Sequence, residues 1–175
     1  MSPARALILM SLALAAAPLS AGPDRGSTAA AALVTANGTD AGYARFTAWN
    51  GKKTLIVSLH GIAPGDHGLH LHTTGSCTGT NFSGAGGHLN PTGHQHGSLN
   101  PAGSHLGDLP NVTADASGKV YAELPITIDD KTLVQALFDA DGTAIVVHAS
   151  ADDYKTDPSG NSGARIACGV VKLNR

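Results

Sequence analysis

Short segments in which apolar and polar residues alternate make up most of the chain after its N-terminal part. Alternation with a period of two residues is typical of half-buried strands. The clearest case is residues 42–49, where odd-numbered residues such as Tyr43 and Arg45 fall on one side. The turn dipeptide Asn50-Gly51 follows and indicates a hairpin. The pattern predicts about eight short strands, over residues 29–36, 42–49, 53–60, 68–72, 109–114, 119–124, 144–148 and 167–173.

Two long segments interrupt this alternation. Residues 73–104 and 149–163 are rich in small and polar residues and show almost no hydrophobic period. Loops of this length are uncommon in a compact domain and are usually functional. Residues 129–138 are compatible with either a short helix or a loop. The pattern as a whole predicts an all-β fold, an antiparallel barrel or sandwich of eight strands with two long functional loops.

The N-terminal segment predicts export. Arg5 supplies a positive charge, an apolar run extends from it to Leu19, and small residues then lead to a cleavage position near Ala21. The run is too short to span a membrane comfortably. We therefore expect a signal peptide at residues 1–21, a flexible leader at 22–28 and one domain at 29–175. The mature protein would be periplasmic or secreted, with no membrane partner.

Composition excludes several classes of function. The formal net charge is −2 and only 14% of residues are charged, so we expect no nucleic-acid partner. Few large apolar residues indicate an interface, and a monomer and a homodimer are both compatible with the sequence. The chain has two cysteines, Cys77 and Cys168. Because disulfides persist in exported proteins, we expect these to pair; free thiols and thiolate metal ligands are the alternatives.

Six histidines and one aspartate form the most informative group of side chains. They are His70, His72, His88, His96, His105, Asp108 and His148. Imidazole is the commonest side-chain ligand of zinc and copper, and seven donors suit two ions that share one ligand. The first two lie two residues apart in a predicted strand, so they project from one face and can bind one ion. The next four, three nitrogens and a carboxylate, match a closed tetrahedral zinc site that would order the long loop.

Four segments carry a closer likeness to a known family. They are residues 68–72 (GLHLH), 85–91 (AGGHLNP), 105–110 (HLGDLP) and 163–170 (GARIACGV). In order and spacing these segments closely resemble copper,zinc superoxide dismutase. The context of Cys77 and the predicted signal peptide resemble the exported bacterial branch of this family. The similarity extends over about residues 29–172.

The resemblance implies a fold, a reaction and a set of site residues. The fold would be a Greek-key, immunoglobulin-like sandwich, and the reaction the dismutation of superoxide to dioxygen and hydrogen peroxide, with one copper and one zinc ion per chain. The implied copper ligands are His70, His72, His148 and the bridging His88. The implied zinc ligands are His88, His96, His105 and Asp108. The resemblance further implies an active-site arginine, an intrasubunit disulfide and a carboxylate that links His70 to His96, which are Arg165, Cys77–Cys168 and Asp152.

Two other functions compete with this one. A non-catalytic relative, such as a copper-chaperone-like domain or a metal-storage protein, tends to lose a copper histidine or the arginine, and this chain keeps all of them. A purely structural zinc domain does not explain why His148 and Arg165 are present.

Four further residues need an interpretation. His94 lies two positions before His96 and is an alternative zinc ligand, although the spacing from the neighbouring ligands favours His96. We expect His67 to be structural and His60 to lie at the surface. Lys155 in the second loop is a candidate for steering the anionic substrate.

Overall fold

The computed structural model describes residues 27–174, so the predicted signal peptide and most of the predicted leader lie outside the described residues. Within this range the chain is mainly β. The strands are β1 (Ser27–Thr35), β2 (Asp40–Trp49), β3 (Lys52–Leu59), β4 (Gly65–His67), β5 (Leu69–His72), β6 (Val112–Ala114), β7 (Val120–Ile126), β8 (Ala144–His148), β9 (Arg165–Val170) and β10 (Lys172–Leu173). A 3₁₀ segment at Thr80–Ala85 and a helix, α1 (Asp130–Leu137), complete the secondary structure of this part.

Most strands belong to one curled antiparallel sheet. Its order is β5-β8-β9-β1-β2-β3-β7, with β10 also paired to β1, while β4 and β6 form a separate pair. Strands that are distant in sequence, such as β1 and β9, lie side by side. This arrangement confirms the predicted antiparallel β architecture with crossing connections, typical of Greek-key folds.

The structure corrects the predicted strands at four places. Residues 65–67, which are not among the predicted strands, pair with β6. The predicted strand 167–173 is two strands, because the chain leaves β8 and continues along β1. Residues 109–111 precede β6 instead of starting it. β1 begins at Ser27, so the end of the predicted leader belongs to this strand.

The alternating strands bury one face in a common core. In β2 the even-numbered Ala44 and Phe46 are buried, whereas Tyr43 is 41% exposed. In β5 the core receives Leu71, which is 1% exposed. Each fully buried Leu or Phe side chain contributes about 1.5–3 kcal/mol to folding through removal of apolar surface from water. Because Leu71 points into the core, the side chains of His70 and His72 point to the opposite face of β5.

The segment for which the sequence left two possibilities is a short amphipathic helix, α1. Asp129 caps its N-terminus, since its side chain accepts a hydrogen bond from the Thr132 N–H at 3.0 Å. Leu133 and Leu137, four residues apart, are its buried side chains. No helix among the described residues has the length and apolar character needed to cross a membrane.

Candidate metal centre

Three separate segments of the chain meet through their backbones beneath the site. The N–H of Leu71 donates to the carbonyl of Gly107 at 2.9 Å, that of Gly107 donates to Leu89 at 2.8 Å, and that of Leu89 donates to Leu71 at 2.8 Å. Leu71 and Leu89 are anchored in the core. Four of the six immediate sequence neighbours of these three residues are candidate ligands: His70, His72, His88 and Asp108. These three hydrogen bonds form a backbone triangle of Leu71, Leu89 and Gly107. The triangle brings ligands from three segments together without any ion.

Gly107 is required by this close approach. A Cβ atom at this position would lie 2.4 Å from the carbonyl oxygen of Leu71 and 2.9 Å from the nitrogen of Leu89. Both neighbours are backbone atoms, so they cannot move aside as a flexible side chain would. The glycine of the His-Leu-Gly-Asp motif is therefore a packing requirement of the triangle.

Four imidazole rings converge on one side of the triangle. His70, His72, His88 and His148 are all buried, and each offers a nitrogen within 4.8 Å of the others. One buried nitrogen on each ring has no hydrogen-bond partner: Nδ1 of His70 and Nε2 of His72, His88 and His148. Buried polar atoms are normally paired. A cation held by the four rings would satisfy all four nitrogens, so this set fits an imidazole-bound copper ion.

Backbone carbonyls set the orientation of two of these rings. Nδ1–H of His72 donates to the Gly86 carbonyl at 3.0 Å, and Nδ1–H of His148 donates to the Gly163 carbonyl at 3.1 Å. A carbonyl oxygen only accepts, so the lone pair of each ring is left on Nε2. Burial lowers the pKa of His72 to about 2 and that of His148 to about 3. Both rings are therefore neutral at pH 7, the form that binds metal ions.

The second set is built around one carboxylate. Oδ1 of Asp108 lies 2.9, 3.0 and 3.1 Å from the Nδ1 atoms of His88, His96 and His105. Burial alone would raise the pKa of Asp108, but hydrogen bonds from His88 and from the backbone of Gly97 and His105 hold it well below its usual range. Tetrahedral ligands bound at about 2 Å are separated by about 3.3 Å, so this ionised carboxylate and its three nitrogens fit a closed zinc site.

His88 is shared by the two sets. Its Nδ1 lies 2.9 Å from Asp108 Oδ1, in the carboxylate-centred set, and its unpartnered Nε2 belongs to the all-imidazole set. Burial lowers the pKa of His88 to about 4, against the opposing effect of the Asp108 hydrogen bond. The two ring nitrogens of an imidazole point away from each other. One side chain can therefore contact an ion in each set.

Asp152 is a second connection between the two sets, because its carboxylate accepts a hydrogen bond from one ring of each. Its Oδ2 accepts from Nε2–H of His70 at 2.6 Å and its Oδ1 accepts from Nε2–H of His96 at 2.9 Å. Because an ionised carboxylate only accepts, both rings keep Nδ1 for an ion. Burial raises the pKa of Asp152, but the two ring hydrogen bonds outweigh it and the net pKa is lowered.

Two side chains that the sequence did not single out hold Asp152 in place. Asn111 Nδ2 donates to the Asp152 carbonyl at 2.9 Å, and Asn111 Oδ1 accepts from the Asp152 N–H at 2.9 Å. The Tyr154 hydroxyl accepts from the Asn111 N–H at 2.7 Å. No local motif links residues 41 positions apart. Only the fold reveals this support.

Arg165 is oriented by the loop that precedes His88. Its Nη1 donates to the Phe82 carbonyl at 2.8 Å and its Nη2 donates to the Gly86 carbonyl at 2.6 Å. Arg165 lines a cavity of about 490 Å³ together with His88 and His148. Partial burial lowers its pKa, yet a guanidinium stays charged at neutral pH. The cavity thus presents a fixed positive charge beside the all-imidazole set.

A disulfide fastens the same loop. Cys77 and Cys168 are bonded, as the sequence predicts, with Cα atoms 5.7 Å apart. Cys168 follows Arg165 by three residues in β9, and Cys77 begins the segment that supplies the two carbonyl acceptors. The bond therefore ties the acceptors to the strand that carries the guanidinium.

The remaining histidines lie outside both sets. Both ring nitrogens of His67 lie 2.8 Å from backbone carbonyl oxygens, those of His148 and Ala63, in keeping with the structural role expected for this residue. His60 is exposed and lies 3.3 Å from the carboxylate of Asp40. His94 is also exposed. Lys155 is exposed and is not among the residues that line the arginine cavity, and its role in steering stays a prediction.

Comparison with known proteins gives a consistent result. The family model for copper/zinc superoxide dismutase (SODC) matches residues 40–171. A Cu-Zn superoxide dismutase of Caulobacter vibrioides is 43% identical over 149 residues, covering 83% of this chain and 86% of the relative. A second relative, Cu-Zn superoxide dismutase 2 of Aquifex aeolicus, is 39% identical over 145 residues, with 81% and 85% coverage. The solved structure of a SOD-like protein from Bacillus subtilis matches with a TM-score of 0.73 at 37% identity, covering 81% of this chain and 96% of that chain.

Proposed function

This chain belongs to the copper/zinc superoxide dismutase family, and from that premise we propose how its own residues carry out superoxide dismutation. Its cofactors are one copper and one zinc ion. We assign copper to His70, His72, His88 and His148. We assign zinc to His88, His96, His105 and Asp108. Asp152 orients one ring of each set, and Arg165 receives the substrate.

The observation that carries this proposal is that His88 belongs to both ligand sets. Nδ1 of this ring is within 2.9 Å of the Asp108 carboxylate, while Nε2 is one of the four unpartnered nitrogens of the other set. An imidazole between two cations can lose both of its ring protons and bind both. His88 is therefore the bridging ligand.

The chemistry divides between the ions and the side chains. When bound, copper supplies one-electron transfer in both directions, so that one superoxide becomes dioxygen and a second, with two protons, becomes hydrogen peroxide, and zinc fixes the ligand geometry without redox change. Arg165 binds the anion through its charge and through guanidinium N–H groups not engaged with the two carbonyls. Since the chain carries a formal net charge of −2, this local positive charge must overcome the overall repulsion of an anion.

A proton donor for the reduced substrate lies in the same cavity. Nε2 of His88 can hold a proton whenever it is not bound to an ion, and the ring remains fixed through Nδ1. His88 and Arg165 line one cavity, so the proton and the anion-binding group reach the same space. We assign His88 and Arg165 as the two catalytic residues of the protein.

We further propose that the protein is exported. Residues 1–21 would be the signal peptide and a short leader would follow it. The enzyme domain would begin with β1 at Ser27 and act in the periplasm or outside the cell. The disulfide and the bacterial relatives support export. The mature protein acts on superoxide without nucleic-acid or membrane partners, as a monomer or a homodimer.

The test compares superoxide decay in three samples by stopped-flow absorbance. The samples are the mature protein with copper and zinc, the metal-free protein, and the metal-loaded Arg165→Ala variant. We expect the fastest decay in the first sample, clearly slower decay in the third at equal metal content, and no acceleration in the metal-free sample. A non-catalytic copper-binding or copper-chaperone-like relative would bind both metals without accelerating decay, and that result would overturn the proposed roles.

A further inference from the structure

His94 has the ring arrangement of a metal ligand although it belongs to neither set. Its Nδ1–H donates to the carbonyl of Ser104 at 3.1 Å. A carbonyl oxygen only accepts, so this bond leaves the lone pair on Nε2. His94 is exposed, and its Nε2 makes no hydrogen bond within the described part of the chain. The Nε2 atom of His94 therefore presents an unshared lone pair to solvent, as a metal ligand must.

The same arrangement occurs at two of the proposed copper ligands. His72 and His148 each donate Nδ1–H to a backbone carbonyl and keep Nε2 unpartnered. Such a second hydrogen bond orients a ligand ring and raises its basicity. The two other non-ligand histidines differ, because His67 uses both nitrogens on carbonyls and Nε2 of His60 contacts a carboxylate. Among the non-ligand histidines His94 alone is prepared for a cation.

The backbone around His94 is held firmly for an exposed loop. Its N–H donates to Oδ1 of Asn90 at 3.1 Å, and its carbonyl accepts from Nδ2 of the same residue at 2.8 Å. Together with the Ser104 bond, these contacts fix both the backbone and the ring. The position of Nε2 is thus set before any ion arrives.

His94 opens onto a cavity that leads to the zinc set. The cavity has a volume of about 520 Å³, and its lining includes His94, His105 and Asp108. The opposite wall is formed by the end of β7 and the residues after it, among them Thr127. A cation at His94 is therefore in the same space as two of the four proposed zinc ligands.

This cavity is separate from the one that contains Arg165. Asp108 and His94 line the first cavity, whereas His88, His148 and Arg165 line the second, and His105 contributes to both. A cation that approached through the second cavity would pass the guanidinium charge, which repels it. The first cavity avoids that charge and begins at the imidazole of His94.

We propose that His94 is a docking ligand for zinc, which captures the hydrated divalent cation at the surface and passes it through this cavity to Asp108 and His105. The inference rests on the zinc site proposed above. Because the final site already has four donors, His94 contributes to the rates of binding and release and not to the bound state. Substrate and zinc then use different openings of the same protein.

The test follows metal uptake by the full mature chain prepared without zinc. Co²⁺ serves as the probe, since its visible absorption is weak in water and becomes strong on tetrahedral binding. Because a surface ligand raises the local concentration of the cation, we expect His94→Gln to slow uptake about three- to tenfold. Zinc release from the loaded protein into excess chelator should slow by the same factor, and the equilibrium affinity should not change.

Three matched variants complete the design. His60→Gln removes another exposed histidine and should leave both rates unchanged. His94→Asp restores a cation ligand and should recover most of the uptake rate, whereas Thr127→Trp narrows the cavity and should slow uptake with His94 intact. Equal uptake rates in His94→Gln and His60→Gln would overturn the proposal. So would a lower equilibrium affinity with an unchanged uptake rate, which indicates a structural role for His94. Failure of the unaltered protein to bind one tetrahedral ion would instead refute the zinc site itself.

Discussion

Breaking the disulfide should weaken the fold by an amount that its loop length determines. Cross-linking across a sequence separation of 91 removes about 16 cal/mol/K of entropy from the unfolded chain, which is about 4.6 kcal/mol at 25 °C. A whole domain is stable by only about 5–15 kcal/mol. We therefore expect Cys77→Ser to remove a large part of the free energy of unfolding. Cys77 is the better site for substitution, because Cys168 is fully buried.

The assay is urea unfolding of metal-free protein, since bound ions would add their own stabilisation to the folded state. Oxidised wild type should exceed the variant by about 4–5 kcal/mol. The control is wild type treated with a thiol reductant, which should match the variant. A difference below about 1.5 kcal/mol would refute the loop-entropy reasoning. A large difference that persists after reduction would mean that the Cys77 side chain, and not the bond, is responsible.

Three further predictions follow from single contacts in the site. Asp152→Ala should weaken zinc and copper binding about 10- to 100-fold, because His70 and His96 both lose the acceptor that orients them; chelator competition measures this, and the exposed neighbour Asp153→Ala should have no such effect. Arg165→Ala should lower the rate constant for superoxide decay by about tenfold or more with metal content unchanged, and equal loss of metal would show a structural arginine instead. Gly107→Ala should lower the free energy of unfolding of metal-free protein by about 1–3 kcal/mol, as overpacking does; urea titration would contradict this if the variant were as stable as wild type.

Several strands could be predicted because one of their faces is buried and the other is solvated. The alternation at residues 43–46 of β2 and throughout β7 follows directly from that asymmetry. The strand β4 was not predicted, since Gly65–His67 is short and contains residues typical of turns. Its strand character comes from pairing with β6, a segment far along the chain. Long-range pairing of this kind leaves no local pattern.

The donor chemistry of the site could likewise be predicted, but its support could not. Imidazole and carboxylate side chains at short spacings can be recognised directly in the sequence. The structure brings the seven predicted donors into two sets that share His88. The backbone triangle through Gly107 is not visible from spacing, because it depends on three segments meeting. The same is true of Asn111, which comes from a distant part of the chain and hydrogen-bonds both the Asp152 backbone and the Tyr154 hydroxyl.

The account depends most on the shared ring of His88, and crystallography of the metal-loaded protein tests it directly. Anomalous difference maps recorded at the copper and zinc absorption edges distinguish the two ions. We predict one copper peak at Nε2 of His88 and one zinc peak at Nδ1 of the same ring. A single peak, or two ions with that ring bound to only one of them, would contradict the account.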